Sequence, residues 1–270
     1  MSTATDYVLG THQAEINRLG LQHQVWRPHV LDAWSRAGMT RGSKVIDFGA
    51  GPGYATMDAA DIVGPGGTVI ALERSPDFVD FARHAIERRE TPWVQIVECD
   101  LMDEPVECAD ADIAWCRWVA SFVTQPQTLV EKLFGALRVG GIAVLHEYQQ
   151  YSTWRTIPAS SQIDSFVAEV MASWRASGGE PDIMASLLPL MTDFGFKVRE
   201  VRPLLFAVHP SHFTWQWPAA FVGTNAARLV ELGRVSQEWA DAVERDFVAL
   251  ATNPNAILVT PLVMEIIAEK

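Results

Sequence analysis

Gly49, Gly51 and Gly53 follow directly on the apolar run Val45-Ile-Asp-Phe48 and precede a segment that reads as a helix from about Tyr54. Residues without Cβ at alternate positions let a backbone turn sharply and bring its peptide N–H groups against a bound molecule. The helix that follows points its own unpaired N–H groups at the same place. About twenty residues further on, the spacing of a βαβ unit, Thr68-Val-Ile-Ala-Leu72 reads as a second strand ending in Glu73, with Arg74 beside it. A carboxylate at that strand tip can accept hydrogen bonds from both hydroxyls of a ribose. The turn and the acid together call for a nucleoside cofactor.

A second group of reactive side chains closes another apolar run, Ile142 to Leu145, with His146-Glu147-Tyr148. Alternation along a strand puts His146 and Tyr148 on one side and Glu147 on the other. His146 is the candidate general base, because an imidazole titrates near neutral pH. His209 and His212 lie three apart around Pro210 without a third ligand nearby, so no metal site is expected. Cys99, Cys108 and Cys116 form no Cys-x-x-Cys pair. Their odd number, and a start that lacks the pattern of a secretory leader, suit a reducing, cytoplasmic setting.

The spelling of the glycine turn narrows the cofactor. Nicotinamide-binding turns usually run Gly-x-Gly-x-x-Gly, whereas Val45-Ile-Asp-Phe-Gly-Ala-Gly-Pro-Gly53 resembles the first motif of class I S-adenosylmethionine-dependent methyltransferases. The likeness continues through Val94-Gln-Ile-Val-Glu-Cys-Asp100-Leu101, similar to the family's third strand. It extends to Leu137-Arg-Val-Gly-Gly141, where Val139 replaces the proline of the family's Leu-x-Pro-Gly-Gly turn. It spans roughly residues 40–147.

The resemblance implies roles. Asp47 would organise the turn formed by Gly49, Ala50, Gly51 and Gly53 and the cofactor's amino-acid end. Glu73, with Arg74 next to it, would hold the ribose. Asp100, beside Leu101, would meet the adenine amino group, and the backbone at Cys116 and Arg117 would touch the amino-acid end. An N-terminal helix commonly lies over that end in the family, which makes Tyr7, Arg18, Gln22 and Trp26 candidates to face it.

These residues require a scaffold. The resemblance implies an α/β fold, a Rossmann-like doubly wound sheet of seven mostly parallel strands with the last strand antiparallel, plus helical lid insertions. The chain of 270 residues, 49% hydrophobic, can form it as one domain. Residues 1–40 read as an N-terminal helical segment divided in two by Pro28. Residues 40–150 form the cofactor-binding core, with a crossover helix over 54–63, a helix capped by Ser75, a fourth strand over 111–116 and a helix over 126–137. Residues 183–208 and 255–270 complete the sheet.

The insertions, 151–182 and 209–254, leave from the C-terminal ends of strands five and six, so both begin above the cofactor edge. They should roof an enclosed chamber. Trp154, Trp174, Trp215, Trp217 and Trp239 lie in or near them. Trp118, Tyr148, Trp154 and Trp215 are the candidate walls for an acceptor, and the competing reading makes each lid tryptophan part of the lid's own core.

A net charge of −12, with no basic run beyond Arg88-Arg89, argues against a nucleic-acid partner. No apolar run approaches the ~18 residues of a membrane span. The tip of strand four, Cys116-Arg117-Trp118, lacks both the Asn/Asp-Pro-Pro-Tyr of many amino-group methylases and the Asp of metal-dependent catechol enzymes. The resemblance therefore points to methyl transfer from S-adenosylmethionine to an oxygen or nitrogen of a small apolar metabolite, aromatic ones included. A homodimer stays open. The rival readings are a protein of this fold that binds the cofactor without transferring methyl, and a nicotinamide oxidoreductase. The second lacks the Tyr-x-x-x-Lys pair of short-chain dehydrogenases, since Ser152 follows Tyr148 at that spacing and Arg155 follows Tyr151.

Overall fold

A computed structural model describes residues 13–270. Val45, Ile46 and Phe48 of strand β1 (Lys44–Phe48) and Ile113, Ala114, Trp115 and Cys116 of β4 (Ala111–Arg117) are all buried, with no polar face between them. Such runs fit only the middle of a sheet covered on both sides. They form the centre of a seven-stranded sheet. Its order is β3 (Val94–Glu98), β2 (Thr68–Glu73), β1, β4, β5 (Leu137–Gln150), β10 (Leu262–Glu269) and β7 (Lys197–Leu204). Strand β10 is antiparallel to both neighbours and the core strands are parallel. The strand order reverses between β1 and β4, which opens a crevice at their C-terminal ends.

Helices α1 (Gln13–Arg36) and α2 (Tyr54–Val63) share one apolar layer with Val45, Trp115 and Val144. Helices α4 (Pro126–Ala136) and α6 (Met184–Asp193) pack on the other face against Ile46, Phe48 and Leu145. Helix α3 (Pro76–Arg89) covers β2 and β3 and is capped by the Ser75 hydroxyl, which accepts from Phe78 N at 3.4 Å.

The first segment departs from the expected pair of helices. Pro28 lies inside the single helix α1. It removes one N–H from the ladder, yet Val25 and Trp26 before it and Val30, Ala33 and Trp34 after it are buried in the same layer. Burial of both halves against one surface outweighs the lost bond.

The insertions hold α5 (Ser161–Ala176), α7 (Gln216–Glu231) and α8 (Gln237–Thr252), which pack against one another. They are joined by an element the sequence does not announce. A second antiparallel sheet runs β6 (Arg155–Ile157), β9 (Ile257–Val259), β8 (Ala207–Val208). Strands of two or three residues carry no readable period. Residues 255–270 consequently divide between β9 in this small sheet and β10 in the large one.

Trp34 is fully buried and meets Trp115 edge to face at 5.3 Å, fixing α1 on the sheet. Trp34→Ala should lower unfolding free energy by about 3–5 kcal/mol, the range for deleting a large buried aromatic, read from chemical denaturation.

Candidate functional site

Each of the three turn glycines has a positive φ: 69° at Gly49, 58° at Gly51 and 82° at Gly53. Their surroundings differ. A Cβ on Gly49 would lie 2.4 Å from Val119 Cγ2, and one on Gly53 would lie 3.1 Å from Ala82 Cβ in α3. On Gly51 it would meet nothing within 4 Å, because that residue opens on a cleft. The turn hangs from β2, where Leu72 O accepts from both Gly49 N and Ala50 N at 2.9 Å. Glu73 clasps it from the same strand: Oε2 accepts from Gly51 N and Oε1 from Ser75 N, each at 2.8 Å. Burial raises the Glu73 pKa and these amides oppose the rise. Asp47 accepts from Thr56 Oγ1 at 2.7 Å, and burial lifts its pKa to about 6.

The cleft has a volume of about 760 Å³. Its floor is Asp47, Gly49, Ala50, Gly51, Glu73 and Arg74, and one end is formed by Asp100, Leu101 and Met102. The Asp100 carboxylate fixes that end by accepting from Met102 N at 2.8 Å. The other end is Arg117, Trp118, Val119 and Phe122, and the roof combines Leu19 and Gln22 of α1 with Trp174 and Ser177 at the end of α5 and Arg228 of α7.

Residues 46–145, which carry the glycine turn, Asp47, Glu73 and the Asp100 turn, match the family model described as a methyltransferase domain. Over that segment the chain is similar to methyltransferases that use S-adenosylmethionine. A demethylmenaquinone methyltransferase of Lactococcus lactis is 25% identical over 126 residues, 47% of this chain and 49% of that protein. The chain spans about half or less of the first curated relatives it matches. Among solved structures, a putative methyltransferase of Bacillus halodurans shares the fold at a TM-score of 0.60 and 16% identity, covering 89% of this chain and 98% of that one. A mycolic acid cyclopropane synthase, crystallised with S-adenosylhomocysteine (SAH), does so at 0.59 and 13%, covering 90% and 83%.

The methyltransferase cofactor, S-adenosylmethionine, fits the residues present. The Cα of Gly51 is bare toward the cleft, the Glu73 carboxylate at its floor retains lone pairs beyond its two amide bonds, and an Asp-stabilised turn closes the far end. No group of three or more potential metal ligands is found among the described residues.

The methyltransferase fold gathers some sequence candidates around the cleft and places others elsewhere. Asp47, Gly49, Ala50, Gly51, Glu73, Arg74, Asp100, Leu101, Arg117, Trp118 and Gln22 line it. Tyr7 lies outside the described residues. Arg18 is buried against Glu15, with Nε at 2.7 Å and Nη2 at 2.6 Å from its oxygens, and lies over the Phe221 ring. Trp26 is core, with its ring centroid 5.2 Å from that of Trp118 and 5.0 Å from that of Trp217. Gly53 serves the approach of α3, as its Ala82 contact shows. The side chain of Cys116, whose backbone was the expected contact, packs in the opposite layer with Ile46 and Leu145, because strand alternation that brings Arg117 to the cleft turns its neighbour's side chain away.

The proposed acceptor walls are also revised. Tyr148 stacks behind Trp118 at 5.5 Å and 12°, while Trp154 and Trp215 pack within the lid against Phe166 and Phe247. His146 is fully buried and does not line the cleft; its Nε2 lies 3.0 Å from Glu265 Oε2 on β10, and Trp115 and Trp26 cover the ring. Burial lowers its pKa, against the raising effect of Glu265. Its strand runs beneath α1, so a side chain on that face is covered before it reaches the edge. His146 is a partner of Glu265, not a base within the cleft.

Sequence reading gave no role to Glu147. Its carboxylate accepts from Val119 N and Ala120 N at 2.7 Å each and from Ser121 Oγ at 2.8 Å, holding the short 3₁₀ turn Ala120–Phe122 in the cleft wall. That turn follows Trp118, a non-glycine residue at φ 52° whose N donates to His146 O. The segment after α5 seats on it, with Glu180 N donating to Ser121 O at 3.0 Å. The available signal was an acid at the end of an apolar strand, which must find partners where it is buried. Trp174, Ser177 and Arg228 also line the cleft, placed there by lid geometry that no local pattern encodes.

Burial raises the Glu147 pKa from its ordinary 4.5 to about 7, against its hydrogen bonds to Ser121 and the two amides. A raised carboxyl pKa favours folding fully below the unfolded value, and that contribution is lost as pH climbs to the folded one. Glu147→Gln keeps an acceptor for the amides and does not titrate. Its stability relative to the natural protein should therefore rise by on the order of 3 kcal/mol between about pH 4.5 and 7 and level off above, as measured by urea denaturation across pH.

Proposed function

We propose that this protein transfers the methyl group of S-adenosylmethionine to an oxygen or nitrogen of a small apolar metabolite, aromatic ones included. One observation carries the reading: a single cleft runs from Gly51 and Glu73 to a wall of Trp118, Val119, Phe122 and Trp174. The cofactor, when bound, supplies an electrophilic methyl on a sulfonium. The chain's part is placement. Glu73 accepts from the sugar hydroxyls, Gly51 lets the backbone approach, and Asp100 with Leu101 addresses the base. Trp118, Phe122 and Trp174 exclude water and orient the acceptor, which for an in-line displacement is most of what a protein can contribute.

Among the described residues no histidine lines the cleft. This favours an acceptor with a lone pair available near neutral pH, an amine or an ionised phenol, which needs no imidazole to take its proton. The net acidity of the chain and the roofed cleft favour a small acceptor over a nucleic acid.

Calorimetry should show S-adenosylmethionine binding in preference to NADH. Glu73→Ala should weaken it by about 1–3 kcal/mol, roughly five- to 150-fold, the range for charged hydrogen bonds left unmade. SAH should accumulate with at least one amine or phenol of an acceptor panel. Tight binding with no SAH from any acceptor would leave a binding protein, and preference for NADH would remove the cofactor assignment.

A further inference from the structure

Arg117, the last residue of β4, carries a charge that the described residues do not neutralise. It lines the cleft, and its guanidinium is flanked by the rings of Trp118 at 5.1 Å and Trp115 at 5.8 Å. Nη2 reaches His23 Nδ1 at 3.3 Å, and Nη1 is covered and has no hydrogen-bond partner. No ion pair among the described residues includes it. Arg18, which is buried, shows the usual solution, a bidentate carboxylate from Glu15.

The neighbours of Arg117 cannot take that part. An arginine only donates, so His23 Nδ1 must accept, which places the imidazole proton on Nε2, 3.0 Å from Asp58 Oδ2. His23 is then neutral, as the lowering of its pKa by burial also favours. The indole rings attract the cation but offer no acceptor to its N–H groups. Asp47 on the cleft floor acts on Arg117 through its charge, but it is not within ion-pairing distance and is bonded to Thr56. Burying an arginine without an anion is costly, and here it pulls the pKa down to about 10.

We infer that Arg117 is a carboxylate-binding site within the cleft, completed by an acidic group that a bound small molecule brings. The inference rests on the proposed cofactor reading and deepens it. Two molecules could bring the carboxylate, the cofactor through its amino-acid end or the acceptor. A planar guanidinium with several N–H donors matches a carboxylate geometrically, which favours that group over other ligands.

The test compares the natural protein with Arg117→Met and Arg117→Lys by calorimetry. The first probe is SAH, and the second is its decarboxylated analogue, which keeps the amine and lacks only the carboxylate. If the cofactor is the source, Arg117→Met weakens SAH by about ten- to a hundredfold and leaves the analogue within about threefold, with Arg117→Lys between. If both ligands keep their affinity, the second arm saturates the protein with SAH and titrates naphthoate against naphthalenemethanol. An acceptor source then shows as a preference for naphthoate that Arg117→Met abolishes.

Loss of neither preference overturns the assignment, as does equal weakening of SAH and its analogue. The ligand-free Arg117→Met protein should melt no lower than the natural one, since the substitution removes an unpaired buried cation. A drop of more than about 5 °C would make Arg117 a structural residue instead. Failure of the natural protein to bind SAH or its analogue appears before any variant is made, and it would bring down the cofactor reading and this site together.

Discussion

Parallel strands end with peptide groups that have no partner in the sheet, and a ligand crevice built on those ends must satisfy them without filling the space. Two buried carboxylates do this here. Glu73 binds the amides of Gly51 and Ser75, and Glu147 binds those of Val119 and Ala120 together with the Ser121 hydroxyl. One acid holds the floor of the cleft and the other its wall. The two parts meet where Val119 occupies the space that a side chain on residue 49 would need. A glycine at that position is thus required twice, by its backbone angle and by its neighbour.

The wall is also the place where the sheet meets the lid. Trp118 lies close to parallel with Tyr148 of β5 and with Trp217 of α7, and Trp217 in turn donates through Nε1 to Gln22 of α1 at 3.0 Å. A ring that lines the cleft therefore touches the central sheet, the second insertion and, through Trp26, α1. Aromatic packing of this kind fixes orientation as well as area, which suits a site whose contribution is placement.

How far the molecule was legible from its sequence follows the range of the signals. The glycine turn, Glu73 and Asp100 are local features at fixed offsets on strong strand patterns, and the structure sets all three around one cleft. The parallel core was readable because its strands are apolar on both faces. Side chains whose surroundings come from distant segments were not readable. His146 looked like a base at a strand end until Glu265, 119 residues away, was found beside it. Trp154 and Trp215 face the lid's interior because α5, α7 and α8 supply enough apolar surface to enclose them. Cys116 and Arg117 differ by one position along β4, which a reading of motifs cannot orient but alternation in a known sheet does.

The three-stranded sheet carries a mechanical consequence. Strand β9 is hydrogen-bonded on one edge to β6, just before α5, and on the other to β8, ahead of α7. The two halves of the roof are therefore yoked through a common strand and cannot swing as separate flaps. A displacement of one half is thereby passed to the other through the shared strand.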